Sequence, residues 1–257
     1  VDSSDNRFLF KKSDFPKIKK KIKFYKSKPS ISFQRNLGLR KVNSSSNYIM
    51  FLDDDVYFRK DALKKMYKFL SKNINYSGIG FNLIINKKFI FDEFKKNKFF
   101  QMLKVYDQNP GVVTSSGWHT KAINLEKNTE VEWLPTQAVI YQKNKIKRLK
   151  FENSFGKYSY LEDLDFSYQV NKLGKLVINH EAKYSSNNDV KRNFFLFGIK
   201  EVVNRFIFVK KNKLNILNFN FGLFLLFIKN FIFILINNYK YIFRIMGNLV
   251  GSILILF

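Results

Sequence analysis

Apolar residues along the chain fall first into short runs bounded by charged or turn-forming residues, and only near the end into one long field. Tyr48-Ile-Met-Phe-Leu52 is a run of strand length that stops at three carboxylates, Asp53, Asp54 and Asp55. Being apolar on both faces, it predicts a strand in the middle of a parallel sheet. Asp61 to Lys72 places Leu63, Met66, Tyr67 and Leu70 on one side of an amphipathic helix. Tyr76 to Ile85 predicts a second buried strand, in which Gly78 and Gly80 permit close backbone approach. This strand, helix, strand alternation argues for an α/β sheet with right-handed crossovers. Upstream, Asp14 to Lys21 is basic and helical or irregular, and Ile22 to Tyr25 reads as a short strand. Ser30 is placed to cap a helix carrying Phe33, Leu37 and Val42 on one side, before Ser44 to Asn47 breaks the pattern.

The middle is less periodic. Phe89 to Tyr106 is aromatic and basic, and Gly111 to Gly117 reads as a strand entering a turn. Val131 to Tyr141 carries Pro135 mid-run, which predicts two short strands or a strand after a loop. Glu162, Asp163 and Asp165 open a helical pattern (Leu164, Tyr168, Val170, Leu173) that stops at Gly174. Leu176 to Ile178 is a short strand leading to His180. From Phe219 onward Phe, Ile and Leu dominate, interrupted by Lys229, Lys240 and Arg244. The longest uncharged run, Leu214 to Ile228, falls short of the ~18 apolar residues of a membrane span, so helices lying in a membrane interface suit it better. Packing on the domain is the alternative.

Composition changes this picture in three ways. The 257 residues suffice for one α/β domain with a full core. The formal net charge of +26 raises nucleic acid or an anionic membrane as partners. The lysines are scattered, however, among abundant Asn, Ile and Phe, the mixture an AT-rich coding sequence produces, and no nucleic-acid motif accompanies them. The absence of cysteine removes disulfides and thiolate metal sites. A first residue of Val, followed by Asp2-Ser-Ser-Asp5 reading as a strand running into a turn, predicts an upstream segment with at least one further strand.

Two acidic groups carry the candidate chemistry. Asp53 to Asp55 lies past the C-terminal end of a strand, where open α/β sheets bind ligands, and a hard divalent cation carrying phosphates suits it. An acidic turn ahead of the next helix is the plain alternative. Glu162, Asp163 and Asp165 offer a general base, or else helix N-terminal acids favoured by the helix dipole.

Four segments, in order, resemble family 2 glycosyltransferases of the GT-A fold. Val1-Asp2-Ser-Ser4 resembles the end of the family's second strand, whose Asp reads the nucleoside. Gln34-Arg35-Asn36-Leu-Gly38 resembles the helix before the metal motif, Phe51-Leu-Asp53-Asp54-Asp55 the Asp-x-Asp motif, and Leu161-Glu162-Asp163-Leu-Asp165-Phe the segment holding the catalytic base. Glu132-Trp133-Leu134-Pro135 and Asn204-Arg205-Phe206 are weaker echoes, and Gly247 and Gly251 resemble the paired glycines of a common C-terminal tail. Thr136-Gln137 departs from the small residues usual after Trp-Leu-Pro, and no small Ala stands ahead of the metal strand.

The resemblance implies an inverting transfer of sugar from a UDP-, dTDP- or GDP-linked donor to a glycan or lipid-linked acceptor in cell-surface polysaccharide synthesis. Asp163 is then the base, with Glu162 and Asp165 raising its pKa as flanking like charges. Asp55 holds Mg²⁺ or Mn²⁺, and Asp53 and Asp54 bind the ribose or reach the metal through water. His180 is a metal ligand, a diphosphate contact or a structural histidine. Asp2, Arg35 and Arg205 face the nucleotide or diphosphate, and Trp133, with Glu162, the acceptor. Arg35 and Arg205 as solvated charges, and Trp133 as core, are the alternatives. The expected organisation is a GT-A domain over 1–213, truncated at its N-terminus, and a hydrophobic helical tail over 214–257. Location is expected in the cytoplasm, peripheral on the inner face of the membrane, with no nucleic acid bound. A nucleotidyltransferase, a basic nucleic-acid-binding protein and an inactive family member compete with this reading.

Overall fold

The computed structural model describes residues 1, 22–85, 101–102, 104–156, 159–187, 193–236 and 238–256. The expectations for Asp2, for Asp14 to Lys21 and for most of Phe89 to Tyr106 lie outside the described residues.

Helix α1 (Ile31–Lys41) leads into β1 (Tyr48–Leu52), β2 (Val56–Phe58), α2 (Ala62–Lys72) and β3 (Gly78–Leu83). Beyond a long irregular stretch come β4 (Thr129–Val131), β5 (Ala138–Gln142), the single turn α3 (Lys143–Ile146), α4 (Glu162–Asn171) and β6 (Leu176–Ser186). Three helices follow: α5 (Phe194–Lys211), α6 (Ile216–Leu235) and α7 (Lys240–Leu254). Pro135 does separate two strands, β4 and β5, because proline cannot donate to the ladder.

The described strands form one sheet in the order β1-β5-β3-β6-β2, with β4 also paired to β6. Strands β3 and β6 are parallel, whereas β5 runs antiparallel between β1 and β3. The sheet is therefore mixed, with β1, β3 and β6 pointing the same way. Gly78 and Gly80 sit where the pattern required small residues. A Cβ on Gly78 would lie 2.6 Å from the Tyr141 ring, and one on Gly80 2.6 Å from Leu134 Cδ2.

Several local expectations are corrected. Among the described residues β1 is an edge strand whose alternate residues Tyr48, Met50 and Leu52 are exposed, not a central strand buried on both faces. Ile22 to Tyr25 forms no strand. Helix α1 buries its polar side, Ser32 and Asn36, while Phe33 is exposed. The reason is a set of side-chain bonds: Asn36 both donates to Phe151 O (2.9 Å) and accepts from Phe151 N (2.8 Å), and Ser32 Oγ donates to Glu152 O (2.8 Å). Ser30 stands at the N-cap but its hydroxyl goes to Gly156 O instead. In α2 the buried side is Ala62 and Met66, with Leu63 and Tyr67 exposed.

Helices α5 and α7 cross so closely that only glycine fits. A Cβ on Gly247 would stand 2.1 Å from Phe195 O, and one on Gly198 2.4 Å from Arg244 O. Buried polar groups lock the crossing: Arg244 forks onto Glu201 (2.9 and 2.7 Å), and Asn248 donates to Gly198 O (3.0 Å).

Candidate active site

Strand β1 delivers Asp53 beside the start of β5, where Asp53 N donates to Gln137 O (2.9 Å). The chain then reverses through Asp54 and Asp55 into β2, which pairs with the last residues of β6. Helix α4 brings Glu162 and Asp163 to the same place from over a hundred residues further on. Its preceding residue, Leu161, has φ 75°, a left-handed conformation unfavourable for a bulky side chain. Burial of Leu161 among Val113, Trp133, Phe155 and Leu164 holds that conformation and aims the two carboxylates.

Arg35 joins the two acidic segments. Its Nη2 donates to Asp53 Oδ1 (3.1 Å) and its Nη1 to Glu162 Oε1 (2.5 Å). Arg35 and Glu162 are shielded from water, 11% and 10% exposed, while Asp53 keeps 36% of its side chain exposed. Burial pushes Asp53, Glu162 and Asp163 above the usual carboxylate range, and the Arg35 guanidinium pulls each back. Asp163 alone of the α4 acids remains half-buried and open; its Oδ1 accepts from Leu164 N (2.8 Å). A carboxylate whose pKa is raised by burial is a stronger base than a solvated one, as a proton acceptor requires.

A second set of residues completes the site. Ser186 Oγ donates to Asp55 Oδ2 (2.8 Å), Gln137 Nε2 reaches Ser186 Oγ (3.5 Å), and Tyr184 OH donates to Gln137 Oε1 (3.3 Å). Burial raises the Tyr184 phenol, and the charges of Asp53, Asp55 and Asp163 raise it further. Sequence reasoning missed Tyr184, Ser186 and the role of Gln137. The signal was present: Tyr184-Ser-Ser186 ends an apolar strand parallel to β3, at the edge where α/β sheets hold ligands.

Among the described residues no three acidic or imidazole groups converge as a ready metal cage. The donors present fit a divalent cation shared with phosphate oxygens, which takes one or two carboxylates from the protein. Asp55, hydrogen-bonded through one oxygen only, and the Asp53 oxygen turned away from Arg35 are those donors. Asp54 is exposed at the turn.

Residues 17–157, more than half of the chain, match the sequence profile described as Glycosyl transferase family 2. The chain belongs to glycosyl transferase family 2. It carries a glycosyltransferase domain of GT-A fold, mixed α/β with flanking helices. No curated protein matches the chain. A solved structure similar to it, S. aureus TarS 1-349, is 16% identical and covers 72% of this chain, with a TM-score of 0.43. The chain spans about half, 49%, of that chain's length.

Within this glycosyltransferase domain four expected placements do not hold. His180 sits at the irregularity of β6 between Asn179 and Lys183, and its Nδ1 pairs with Asn128 Oδ1 (2.9 Å), so the structure places its ring on Asn128 and not on the Asp55–Ser186 contact. Asp165 does not flank Asp163 as a like charge. It is fully buried and bound to Lys211 (2.7 Å), Asn212 (3.1 Å) and Gln169 (2.9 Å), tying α4 to the end of α5. Arg205 is 2% exposed and holds the Gly117 turn through Gly117 O (2.6 Å) and Tyr160 OH (3.0 Å), stacked over Trp118. That leaves its guanidinium enclosed in the domain, away from a diphosphate. Trp133 is core: its Nε1 donates to Thr120 O (2.9 Å) and its ring meets His119 edge-on.

His119 predicts an acid sensitivity. Its Nδ1 is buried without a hydrogen-bond partner, and burial, with Arg205 and Lys121 nearby, lowers its pKa to about 3. Between pH ~6.5 and ~3 the unfolded chain binds a proton there that the folded chain does not, so stability falls as pH drops through that window. The slope is at most about 1.4 kcal/mol per pH unit, and less because part of the ring meets solvent. Acid unfolding of His119→Asn, followed by circular dichroism, should show a shallower pH dependence than the parent.

Proposed function

We propose that this protein transfers a sugar from a nucleotide-diphosphate donor to a hydroxyl of a glycan or lipid-linked acceptor, with inversion at the anomeric carbon. The observation that carries this reading is that Arg35 ties Asp53, at the head of the acidic turn, to Glu162, the neighbour of Asp163. One carboxylate pair faces a phosphate-bearing ligand, and one half-buried, basic carboxylate stands opposite to receive a proton.

In this mechanism Asp163 accepts the proton of the acceptor hydroxyl as its oxygen bonds to the anomeric carbon. The bond from that carbon to the diphosphate oxygen breaks in the same displacement, and the diphosphate leaves with its electron pair. Asp163 then returns the proton to solvent. Asp55 and Asp53 would hold Mg²⁺ or Mn²⁺, and such an ion would supply charge neutralisation for a departing diphosphate. Asp54, at the exposed turn, faces the ribose. Glu162, held by Arg35, faces the acceptor side. The nucleoside of the donor is uridine, thymidine or guanosine. We place the enzyme at the cytoplasmic face of the cell membrane in surface polysaccharide synthesis, because its C-terminal helices are exposed and apolar.

The test is binding and hydrolysis of a panel of nucleotide-sugars, with Mn²⁺ and with EDTA, by the full gene product. One donor should bind in a metal-dependent way, and Asp55→Ala should abolish that dependence while leaving the fold intact. Absence of metal-dependent binding for every nucleotide-sugar would overturn the reading.

A further inference from the structure

We propose that α6 and α7 together form a docking surface that lies in the plane of an anionic bilayer instead of crossing it. This refines the membrane contact just proposed and does not depend on the transfer chemistry.

Helix α6 has the length and composition to span a bilayer: it runs 20 residues at a mean hydropathy of 1.7, because the helix continues past Lys229 where the uncharged run ends. Its inner side, however, is committed to the domain over its first two turns and to α7 further along. Asn218 Nδ2 donates to Ser115 Oγ (2.7 Å), and Phe219 packs on Trp118 and Phe206 at 5.9 and 5.7 Å. A Cβ on Gly222 would stand 2.5 Å from the Trp118 ring, and Asn230 donates to Asn248 Oδ1 (2.8 Å) with both residues fully buried. A crossing α6 would have to release Ser115, Trp118 and Phe206 and carry Lys229 into hydrocarbon, where a charged group is costly.

The outer side is a different surface. Leu217, Phe221, Phe224, Ile228, Phe231 and Leu235 recur every three or four residues and are all exposed. On α7 the exposed residues include Ile242, Phe243, Met246, Leu249 and Ile253. Two such stripes on neighbouring helices present on the order of 1,000 Å² of apolar surface, against the few hundred a soluble monomer carries.

Charge selects the occupant. Exposed Lys210 and Lys213 stand before α6 and exposed Lys240 after it, so both ends of the apolar stripe are basic. Together with a net charge of +26 this attracts anionic lipid, whereas a second copy of the same chain meets its own charge. Docking in the plane also fixes the site's height over the lipid. Lys211 at the end of α5 is bonded to Asp165 of α4, the helix that carries Asp163.

The chain has no cysteine, so labels can be placed singly. Leu217→Cys, Phe224→Cys and Phe231→Cys, each carrying an environment-sensitive probe, are to be bound to phosphatidylcholine vesicles with and without phosphatidylglycerol. The expected result is binding that requires phosphatidylglycerol, with equal and shallow quenching depth at all three positions. Flotation of the unlabelled protein gives the same lipid requirement, and Phe224→Ser with Phe231→Ser should weaken it by about tenfold or more. A depth profile that is deepest at one position would overturn the in-plane arrangement. Equal binding to neutral vesicles, or no binding together with a concentration-dependent dimer, would overturn the anionic bilayer as occupant. Nucleotide-sugar binding by the same variants in solution reports on the transferase reading separately.

Discussion

Asp163→Asn should lower turnover by about a thousandfold while leaving donor binding within a few-fold, since general base catalysis contributes roughly 10² to 10⁴. The substitution is close to isosteric, and the Asn oxygen can keep the bond from Leu164 N that the Asp163 carboxylate accepts at 2.8 Å. The fold is therefore preserved and the loss falls on the chemical step. Single-turnover transfer, paired with calorimetric donor binding, separates the two. Activity within tenfold of the parent would remove Asp163 from the mechanism. Asp165→Asn is the informative contrast. Asp165 is buried against Lys211 and Asn212, so its loss should lower thermal stability and leave the pH profile of turnover unmoved.

Arg35→Met should cost about 3 kcal/mol of stability, because removing one partner from a buried ion pair leaves its counter-charge uncompensated. Here two carboxylates lose their cation, and the cost falls mainly on Glu162, shielded from water, and less on the more exposed Asp53. For a chain of this size that corresponds to a fall in Tm of roughly 10 °C. The pH dependence provides a second readout. Without the guanidinium the folded pKa of both carboxyls rises further above the unfolded value, so the stability lost relative to the parent is smallest at low pH and grows as pH rises. Arg35→Lys keeps the charge but loses the two-pronged geometry, and should fall between parent and Arg35→Met. A Tm unchanged in Arg35→Met would mean that the cation is free to serve a ligand and does not hold the two segments together.

The site's plan follows from how a mixed sheet can bring distant segments together. Antiparallel β5 sits between β1 and β3, so the turn after Pro135 lies beside the end of β1, and Gln137 enters the carboxylate network. The departure at Thr136-Gln137 is thus a constituent of the site and not a gap in it. Helix α5 plays the same connecting role on the other side. It carries Arg205 to the Gly117 turn, Lys211 to Asp165 and Glu201 to Arg244, linking the acidic helix to the exposed apolar pair through buried charges.

By itself the sequence determined the features whose cause is local. Strand and helix periods, the break at Pro135, the stop near Gly174 and the carboxylates at the end of an apolar run all follow from neighbours within a few residues. The small residues at Gly78 and Gly80 likewise announced a close approach before its partner was visible. Tertiary structure alone decided what each charged or polar side chain meets. Arg35 and Glu162 are 127 residues apart, as Asp55 and Ser186 are 131 apart, and nothing in a local pattern specifies such a partner. The same applies to His180, Arg205 and Trp133, whose residue types suit a sugar site but whose positions along β6, on α5 and in the core point elsewhere. A charge or ring is placed by the packing of the element that carries it. That packing is settled by long-range contacts across the whole domain, which the order of residues encodes only collectively.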